Sequence, residues 1–242
     1  MPPSSTAETL SVDVEGGTMP ARLVLPPAGR GPGIVLLQEV FGVTGYVRSR
    51  AGDLAAQGYA VLVPEVYWRQ GSPVLGEGMA GLGEAVAAAG RVEWPEAVAD
   101  VAAALEVLRA RPEVQGGVAL VGFCFGGGLA FSAAAATCRA GQGPDALVSY
   151  YGSAIPQHLD EAGEICCPSL HHWGESDAFF PPEVVDQVQE AVTGGPAGTT
   201  FVRHPGAGHA FDNPSPDFHH AQASRDAWAT TTAWLREHLH TG

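Results

Sequence analysis

The sequence predicts one α/β domain, in which a mainly parallel β-sheet carries helices on both faces. Short, continuous apolar runs, typical of strands buried on both sides, alternate with helical patterns from Ile34 onward. Such alternation requires crossover connections between parallel strands. The 242 residues are 45% apolar, which is enough for one core, and no linker, repeat or composition shift divides residues 1–242.

The elements can be placed in order from local patterns. Gly16-Gly17 marks the turn of an N-terminal antiparallel pair, Gly58 ends a helix and Pro95 suits a first helical turn. Residues 65–92 form a long, glycine-rich connection of a kind that is often functional. The predicted strands span residues 10–14, 21–25, 34–37, 59–63, 118–122, 146–150, 169–173 and 200–204. The predicted helices span residues 47–57, 82–89, 95–109, 126–137, a segment after 181–182, and 220–239.

The charge balance excludes several classes of function. Twelve basic and 26 acidic side chains give a net charge of -14, which argues against nucleic-acid and anionic-membrane partners. All the basic residues are arginine, so mechanisms built on a catalytic lysine are excluded. No signal peptide or membrane-spanning run is predicted. The four cysteines, at 124, 138, 166 and 167, are expected to be reduced thiols in a cytoplasmic protein.

A cysteine lies on a tight turn between a predicted strand and a predicted helix, in the segment Gly122-Phe123-Cys124-Phe125-Gly126. A nucleophile on such a turn is pushed out beyond the sheet edge, and the flanking glycines avoid a collision of Cβ atoms. The following helix N-terminus stabilises negative charge on a thiolate and on a nearby oxyanion. The alternative interpretation is a buried cysteine beside a glycine-rich turn.

An acid and a base follow in the expected chain order. Asp177 and His209 lie in loops that follow later strands. In open α/β sheets, binding and catalytic sites lie beyond the carboxyl ends of the strands, where such loops begin. Glu175 competes with Asp177 for the role of the acid. His171 and His172 lie on a strand and point to opposite faces. The remaining histidines considered, which are predicted to lie on helix surfaces, are His219, His220, His238 and His240. No metal-ligand spacing and no dinucleotide fingerprint occurs, so neither metal nor cofactor is expected.

Five segments carry a family resemblance: Gln38–Gly42 (QEVFG), Pro64–Tyr67 (PEVY), Gly122–Gly127 (GFCFGG), Tyr150–Gly152 (YYG) and Gly206–Phe211 (GAGHAF). By these segments the chain resembles the dienelactone hydrolase family of the α/β-hydrolase superfamily. The resemblance covers nearly the whole chain. It implies the α/β-hydrolase fold, with a cysteine on the nucleophile elbow.

The resemblance also implies a triad of Cys124, Asp177 and His209, and a contact between Glu39 and the resting thiol. A carboxylate beside a thiol opposes thiolate formation, so Glu39 is expected to keep the cysteine unreactive until substrate displaces it. If Glu39 has no such role, it is a solvent-facing loop carboxylate. The backbone N–H groups of Val40 and Phe125 are expected to hold the oxyanion.

The substrate pocket departs from the family pattern. Family enzymes that act on the dienelactone carboxylate resemble one another in having two arginines that bind it. One lies four residues after the catalytic histidine, where this chain has Asn213; the other lies in the long connection, which has no arginine from 71 to 90. A neutral or differently shaped ester or lactone is therefore expected. The candidate substrate-binding residues are Tyr67, Arg69, Arg91, Tyr151, Phe211 and Asn213. The two arginines are alternatively explained by surface salt bridges.

These inferences predict a hydrolase that cleaves a small-molecule carboxylic ester or lactone through a thioester on Cys124. One alternative is a thioesterase or acyltransferase that uses the same cysteine. A second is a non-catalytic α/β scaffold in which the cysteine senses redox state. The sequence does not determine the oligomeric state.

Overall fold

The computed structural model of the chain describes residues 7–239. Its strands are β1 (Ala7–Val14), β2 (Gly17–Val24), β3 (Gly31–Leu37), β4 (Ala60–Pro64), β5 (Val114–Phe123), β6 (Ala146–Tyr150), β7 (Ser169–Gly174) and β8 (Thr199–His204). Its helices are α1 (Gly45–Ala56), α2 (Gly78–Ala89), α3 (Trp94–Arg109), α4 (Phe125–Arg139), α5 (Pro182–Thr193) and α6 (Ala221–His238). Every predicted strand and helix is present. The 3-10 turns at Trp68–Gln70, Ile155–Gln157 and Leu159–Glu164 were not predicted.

The eight strands form one sheet in the order β1-β2-β4-β3-β5-β6-β7-β8. β1 and β2 are antiparallel, β2 is antiparallel to β4, and the pairs from β4 to β8 are parallel. The strand order therefore reverses around β3, which lies between β4 and β5. In open α/β sheets ligands bind beyond the carboxyl ends of the strands at such a reversal. The segments that follow β3 and β5 meet there, and these carry Glu39 and Cys124.

Helices cover both faces of the sheet, as two neighbouring residues of β7 show. His171 packs edge-on against Phe131 of α4, whereas His172 hydrogen-bonds Thr231 of α6 at 3.0 Å. Consecutive strand residues point to opposite faces, so α4 and α6 lie on opposite sides. This confirms the expectation that the two histidines cannot serve one site. Of the other histidines, His220 caps the N-terminus of α6, and His240 lies outside the described residues.

Several strands and helices begin earlier than their local sequence predicts, and in β5 and α2 a tertiary contact accounts for the added residues. β5 begins at Val114 rather than at residue 118, since Val114 pairs with Gly31 of β3. α2 begins at Gly78 rather than at residue 82. Its first turn is stabilised by Asp217, whose carboxylate accepts from the Met79 amide at 2.8 Å. Asp217 is 138 residues away in sequence, so no local pattern around α2 could have revealed this contact.

Two of the four cysteines form a disulfide, which corrects the prediction of four reduced thiols. Cys138, near the end of α4, is bonded to Cys166, with Cα atoms 5.5 Å apart. Cys124 and Cys167 are free. The 3-10 turn at Leu159–Glu164 packs on α4 and brings the segment before β7 to the helix end. The cytoplasmic location stays a prediction that the cysteines no longer support. Within residues 7–239 no helix is long and apolar enough to cross a membrane.

Reducing this disulfide should lower the stability of the protein. The bond closes a loop with a sequence separation of 28 residues, for which the chain-entropy account gives about 3–4 kcal/mol. Tm should fall by about 10 °C in reductant. Differential scanning fluorimetry with and without a phosphine reductant measures the shift. The double variant Cys138→Ser/Cys166→Ser should show the lower Tm both with and without reductant. A wild-type Tm that is the same with and without reductant would contradict the prediction.

Candidate active site

The turn between β5 and α4 places Cys124 in a strained backbone conformation. Its φ is 53° and its ψ is −116°, a region that L-residues rarely adopt. The turn is too tight for side chains on either flank. A Cβ on Gly122 would lie 2.1 Å from the Gly126 carbonyl oxygen, and one on Gly126 would lie 2.4 Å from the Gln38 carbonyl oxygen. Both glycines are therefore required if the thiol is to lie beyond the sheet edge.

Three side chains from separate loops form a continuous hydrogen-bonded row. His209 Nε2 lies 3.1 Å from the Cys124 Sγ, and its Nδ1 lies 2.7 Å from Asp177 Oδ2. The second carboxylate oxygen of Asp177 accepts from the Phe179 amide at 2.9 Å, which fixes the carboxylate. On its other side the thiol lies 3.7 Å from the Ser153 hydroxyl. Asp177, rather than Glu175, is thus the carboxylate that orients His209.

The electrostatics of this row favour a charged imidazole. Burial opposes protonation of His209, but the negative charge on Cys124 and the hydrogen bond to Asp177 outweigh it and raise the pKa of His209 to about 10. A protonated His209 in turn stabilises negative charge on the sulfur at 3.1 Å. The arrangement therefore holds a thiol and a protonated imidazole in contact.

The two backbone amides that were predicted to bind the oxyanion form no hydrogen bond to another described residue. Phe125 is the first residue of α4, so its N–H has no partner within the helix. Within residues 7–239 neither this amide nor that of Val40 donates to a protein acceptor. The Tyr67 hydroxyl donates to the Val40 carbonyl at 3.0 Å and so fixes the Val40 segment. The predicted oxyanion-binding amides are thus available, and Tyr67 supports one of them.

Glu39 is buried and is held by Asn213 rather than by the thiol. The Asn213 amide donates to Glu39 Oε2 at 2.7 Å, and in the described part of the chain Oε1 has no hydrogen-bond partner. No hydrogen bond joins Glu39 to Cys124 in this structure, and the contact between them in the resting enzyme stays a prediction. Burial raises the pKa of Glu39 to about 7, and the hydrogen bond from Asn213 offsets only part of that rise.

Replacing Glu39 by glutamine should stabilise the protein in alkaline but not in acidic solution. The folded-state pKa of about 7 exceeds the ordinary value of 4.5, so folding favours the protonated form. That contribution is complete below about pH 4.5 and is lost as the pH rises through about 7. The increase in the free energy of unfolding caused by Glu39→Gln should be roughly 2–3 kcal/mol larger at about pH 8.5 than at about pH 4.5. Urea unfolding at both pH values measures it, and equal gains would contradict the prediction.

Comparison with known proteins identifies the family to which this site belongs. The family model for the dienelactone hydrolase family matches residues 19–239. The chain belongs to the dienelactone hydrolase family. A carboxymethylenebutenolidase from a Pseudomonas species is 32% identical over 235 residues, which are 95% of this chain and 94% of that protein. A putative carboxymethylenebutenolidase of Azospirillum brasilense is 33% identical over 89% of this chain and 92% of its own.

Solved structures agree with this family and its fold. A putative dienelactone hydrolase from Klebsiella pneumoniae superposes with a TM-score of 0.80 at 26% identity, over 95% of this chain and 98% of that one. EstE1, a thermophilic carboxylesterase from a metagenomic library, superposes with a TM-score of 0.70 over 99% of this chain and 91% of its own. Its sequence is only 18% identical, so this similarity shows the fold alone. The chain is therefore a hydrolase with the α/β-hydrolase fold.

The two arginines considered as substitutes for the family's carboxylate-binding arginines are engaged elsewhere. Arg69 forms an ion pair with buried Asp100, and its Nε lies 3.0 Å from Glu96. Arg91 donates to the Gln70 side chain at 3.1 Å. Both arginines border a separate cavity, between the connection after β4 and the start of α3. The structure thus places neither arginine with the Cys124 row, and the surface ion pair considered for Arg69 is present.

Two of the aromatic residues considered for substrate binding, Tyr151 after β6 and Phe211 after His209, are buried beneath the site. Tyr151 is fully buried, and its ring lies 5.2 Å from that of His209. Phe211 is also fully buried, with its ring 5.1 Å from Tyr151. Tyr151 therefore packs against the His209 ring and Phe211 packs against Tyr151, and neither presents surface to a ligand. Tyr151 has a φ of 38°, a second strained residue beside the turn of Cys124.

The sequence did not reveal a buried ion pair beneath the His209 loop. Asp212 accepts from Arg50 of α1 at 2.8 and 2.6 Å, from the Tyr46 hydroxyl at 2.5 Å and from the Ser224 hydroxyl at 2.7 Å. This carboxylate ties the loop that carries His209 and Asn213 to α1 and α6. No local pattern marks it, because Arg50 is 162 residues away in sequence.

Proposed function

We propose that this dienelactone-hydrolase-family chain hydrolyses a carboxylic ester or lactone, with Cys124 as nucleophile, His209 as proton carrier and Asp177 as the group that orients it. The observation that carries the proposal is the row Asp177–His209–Cys124, with contacts of 2.7 and 3.1 Å. A nucleophile, a base and an orienting acid in mutual contact are the requirements of acyl transfer. The strained turn supports this role, because Cys124 directly precedes α4, whose first amide, that of Phe125, has no partner within the helix.

In the first half of the reaction the thiolate attacks the carbonyl carbon and forms a C–S bond. The carbonyl oxygen becomes an oxyanion, for which the amides of Val40 and Phe125 are suited donors. The tetrahedral intermediate then expels the alcohol oxygen, which takes the proton from His209 Nε2. The products are a thioester on Cys124 and a neutral His209. In a lactone the alcohol remains attached to the acyl group.

In the second half water hydrolyses the thioester. Acylation removes the negative charge on sulfur that raises the pKa of His209, so His209 becomes able to accept a proton. It takes that proton from water while the hydroxide attacks the thioester carbonyl. Collapse of the second tetrahedral intermediate releases the carboxylic acid and regenerates the thiolate beside protonated His209. The same histidine thus acts first as acid and then as base.

The proposal is tested by trapping the acyl group. Acid quenching during turnover of p-nitrophenyl acetate, followed by peptide mass spectrometry, should find one acetyl group on the peptide that contains Cys124. Acetate should be the product when water is the acceptor, and added thiols or alcohols should divert only a minor fraction. Acetylation at another residue would contradict the assignment of the nucleophile. Transfer mainly to the added acceptor would favour an acyltransferase.

A further inference from the structure

A cavity of about 420 Å³ opens beside His209, and its wall combines five apolar side chains with five polar ones. Met79 from α2, Phe179 from the loop after β7, and Phe218 before α6 contribute to its wall. Met79 is 54% exposed and Phe179 is 51% exposed, although both are large apolar residues. The Phe179 ring lies 5.3 Å from the His209 ring. An apolar group bound in this cavity would remove these surfaces from water.

The charges around this cavity disfavour an anion. Within residues 7–239 no arginine lines it, and Asp217 is its one acidic wall residue. Asn213 cannot replace an arginine, because its amide donates to Glu39 while its oxygen accepts from the Ser215 amide at 2.9 Å. In the proposed mechanism the charge of protonated His209 is balanced by the Cys124 thiolate. Ser176, His219 and His220 complete the polar part of the wall.

The position of His209 indicates which part of an ester occupies the cavity. In the proposed mechanism His209 gives its proton to the leaving alcohol oxygen, so that oxygen must come within hydrogen-bond distance of Nε2. The alcohol part of the ester therefore extends toward the His209 side of the sulfur. His209 is also one of the residues that line the cavity.

We infer that this cavity binds the alcohol part of the substrate and that this part is apolar and uncharged. The inference rests on the proposed function and specifies its substrate class. Each methylene moved from water into an apolar wall favours binding, up to about fourfold. A carboxylate in the same place would lose hydration with no arginine to pair with it, close to Asp217. The enzyme should therefore discriminate against esters whose alcohol part carries a carboxylate.

A matched pair of aryl acetates tests the inference. 4-Propylphenyl acetate and 3-(4-acetoxyphenyl)propanoate have side chains of nearly equal size, and two methylenes insulate the phenol oxygen from the carboxylate. Release of the phenol gives kcat/KM for each. The propyl ester should exceed the carboxylate ester by at least about tenfold, and should exceed phenyl acetate by at least about threefold. A propyl-to-carboxylate ratio below about five would overturn the inference.

A charge placed in the wall provides the second arm. Met79→Arg should reduce the propyl-to-carboxylate ratio at least about threefold by raising kcat/KM for the carboxylate ester. Val86→Arg is the matched control, because Val86 is 54% exposed on the same helix, about two turns away, and does not line the cavity. It should leave the ratio unchanged. Equal changes in both variants would show a general charge effect and would overturn the inference.

The failure of this inference can be separated from failure of the proposed function. If phenyl acetate hydrolysis depends on Cys124 but the propyl ester has no advantage, the substrate class is wrong and the mechanism stands. If no ester is hydrolysed in a Cys124-dependent manner, the proposed function fails and this inference fails with it.

Discussion

Replacing Cys124 by alanine should reduce kcat/KM for an activated ester by at least about 10⁴-fold, because the group that forms the thioester is lost. Asp177→Asn should reduce the same kcat/KM by about 10²–10⁴-fold. The carboxylate that accepts from His209 Nδ1 at 2.7 Å would become an amide, which stabilises protonated His209 less and can favour the wrong tautomer. Steady-state hydrolysis of p-nitrophenyl acetate measures both effects, with circular dichroism to check folding.

The triad assignment also predicts how these losses combine. The double variant Cys124→Ala/Asp177→Asn should be no worse than Cys124→Ala alone, because Asp177 acts only through His209 and the sulfur. Cys167→Ala is the matched control, since Cys167 is also a free, buried cysteine but takes no part in the row. It should retain wild-type kcat/KM. Full activity in Cys124→Ala would eliminate the nucleophile and would favour the non-catalytic redox scaffold.

Replacing Asp212 by alanine should destabilise the protein by about 3–5 kcal/mol, with a fall in Tm of about 10 °C. The Asp212 side chain is fully buried and that of Arg50 is 16% exposed, so the substitution leaves a largely buried guanidinium without its partner. The hydroxyls of Tyr46 and Ser224 would lose an acceptor as well. Urea unfolding measures the loss. The kcat/KM should also fall several-fold, because Asp212 anchors the loop that carries His209.

Arg50 itself supplies the control for this prediction. It also pairs with Asp53 at 3.1 Å, but the Asp53 side chain is 48% exposed. Asp53→Ala should therefore cost at most about 1 kcal/mol, as exposed ion pairs do. Replacing both Arg50 and Asp212 by apolar residues of similar size should recover much of the stability, since no buried charge remains. If Asp212→Ala cost no more than Asp53→Ala, the buried pair would have no special role.

Much of the candidate site was predictable because the chemistry of an open α/β sheet is confined to one edge. Once β5 and α4 were placed, Cys124 had to lie on the turn between them. Asp177 and His209 had to lie in loops at the same edge, because parallel strands share their carboxyl ends. The contacts of Glu39 were less predictable. Its partner Asn213 is 174 residues away in sequence. Whether the Glu39 carboxylate contacts the Cys124 thiol or the Asn213 amide depends on how the side chains are placed in the folded protein.

The sequence by itself determined the α/β alternation, the existence and order of the strands and helices, and the loops that carry Cys124, Asp177 and His209. These depend on local patterns: runs of apolar residues, glycines at turns and prolines at helix starts. The tertiary structure alone decided the Cys138–Cys166 disulfide, the Arg50–Asp212 ion pair and the cavity that Met79 and Phe179 line beside His209. Each of these joins residues far apart in sequence. Their contact depends on how helices and loops pack around the sheet, and no local periodicity encodes that packing.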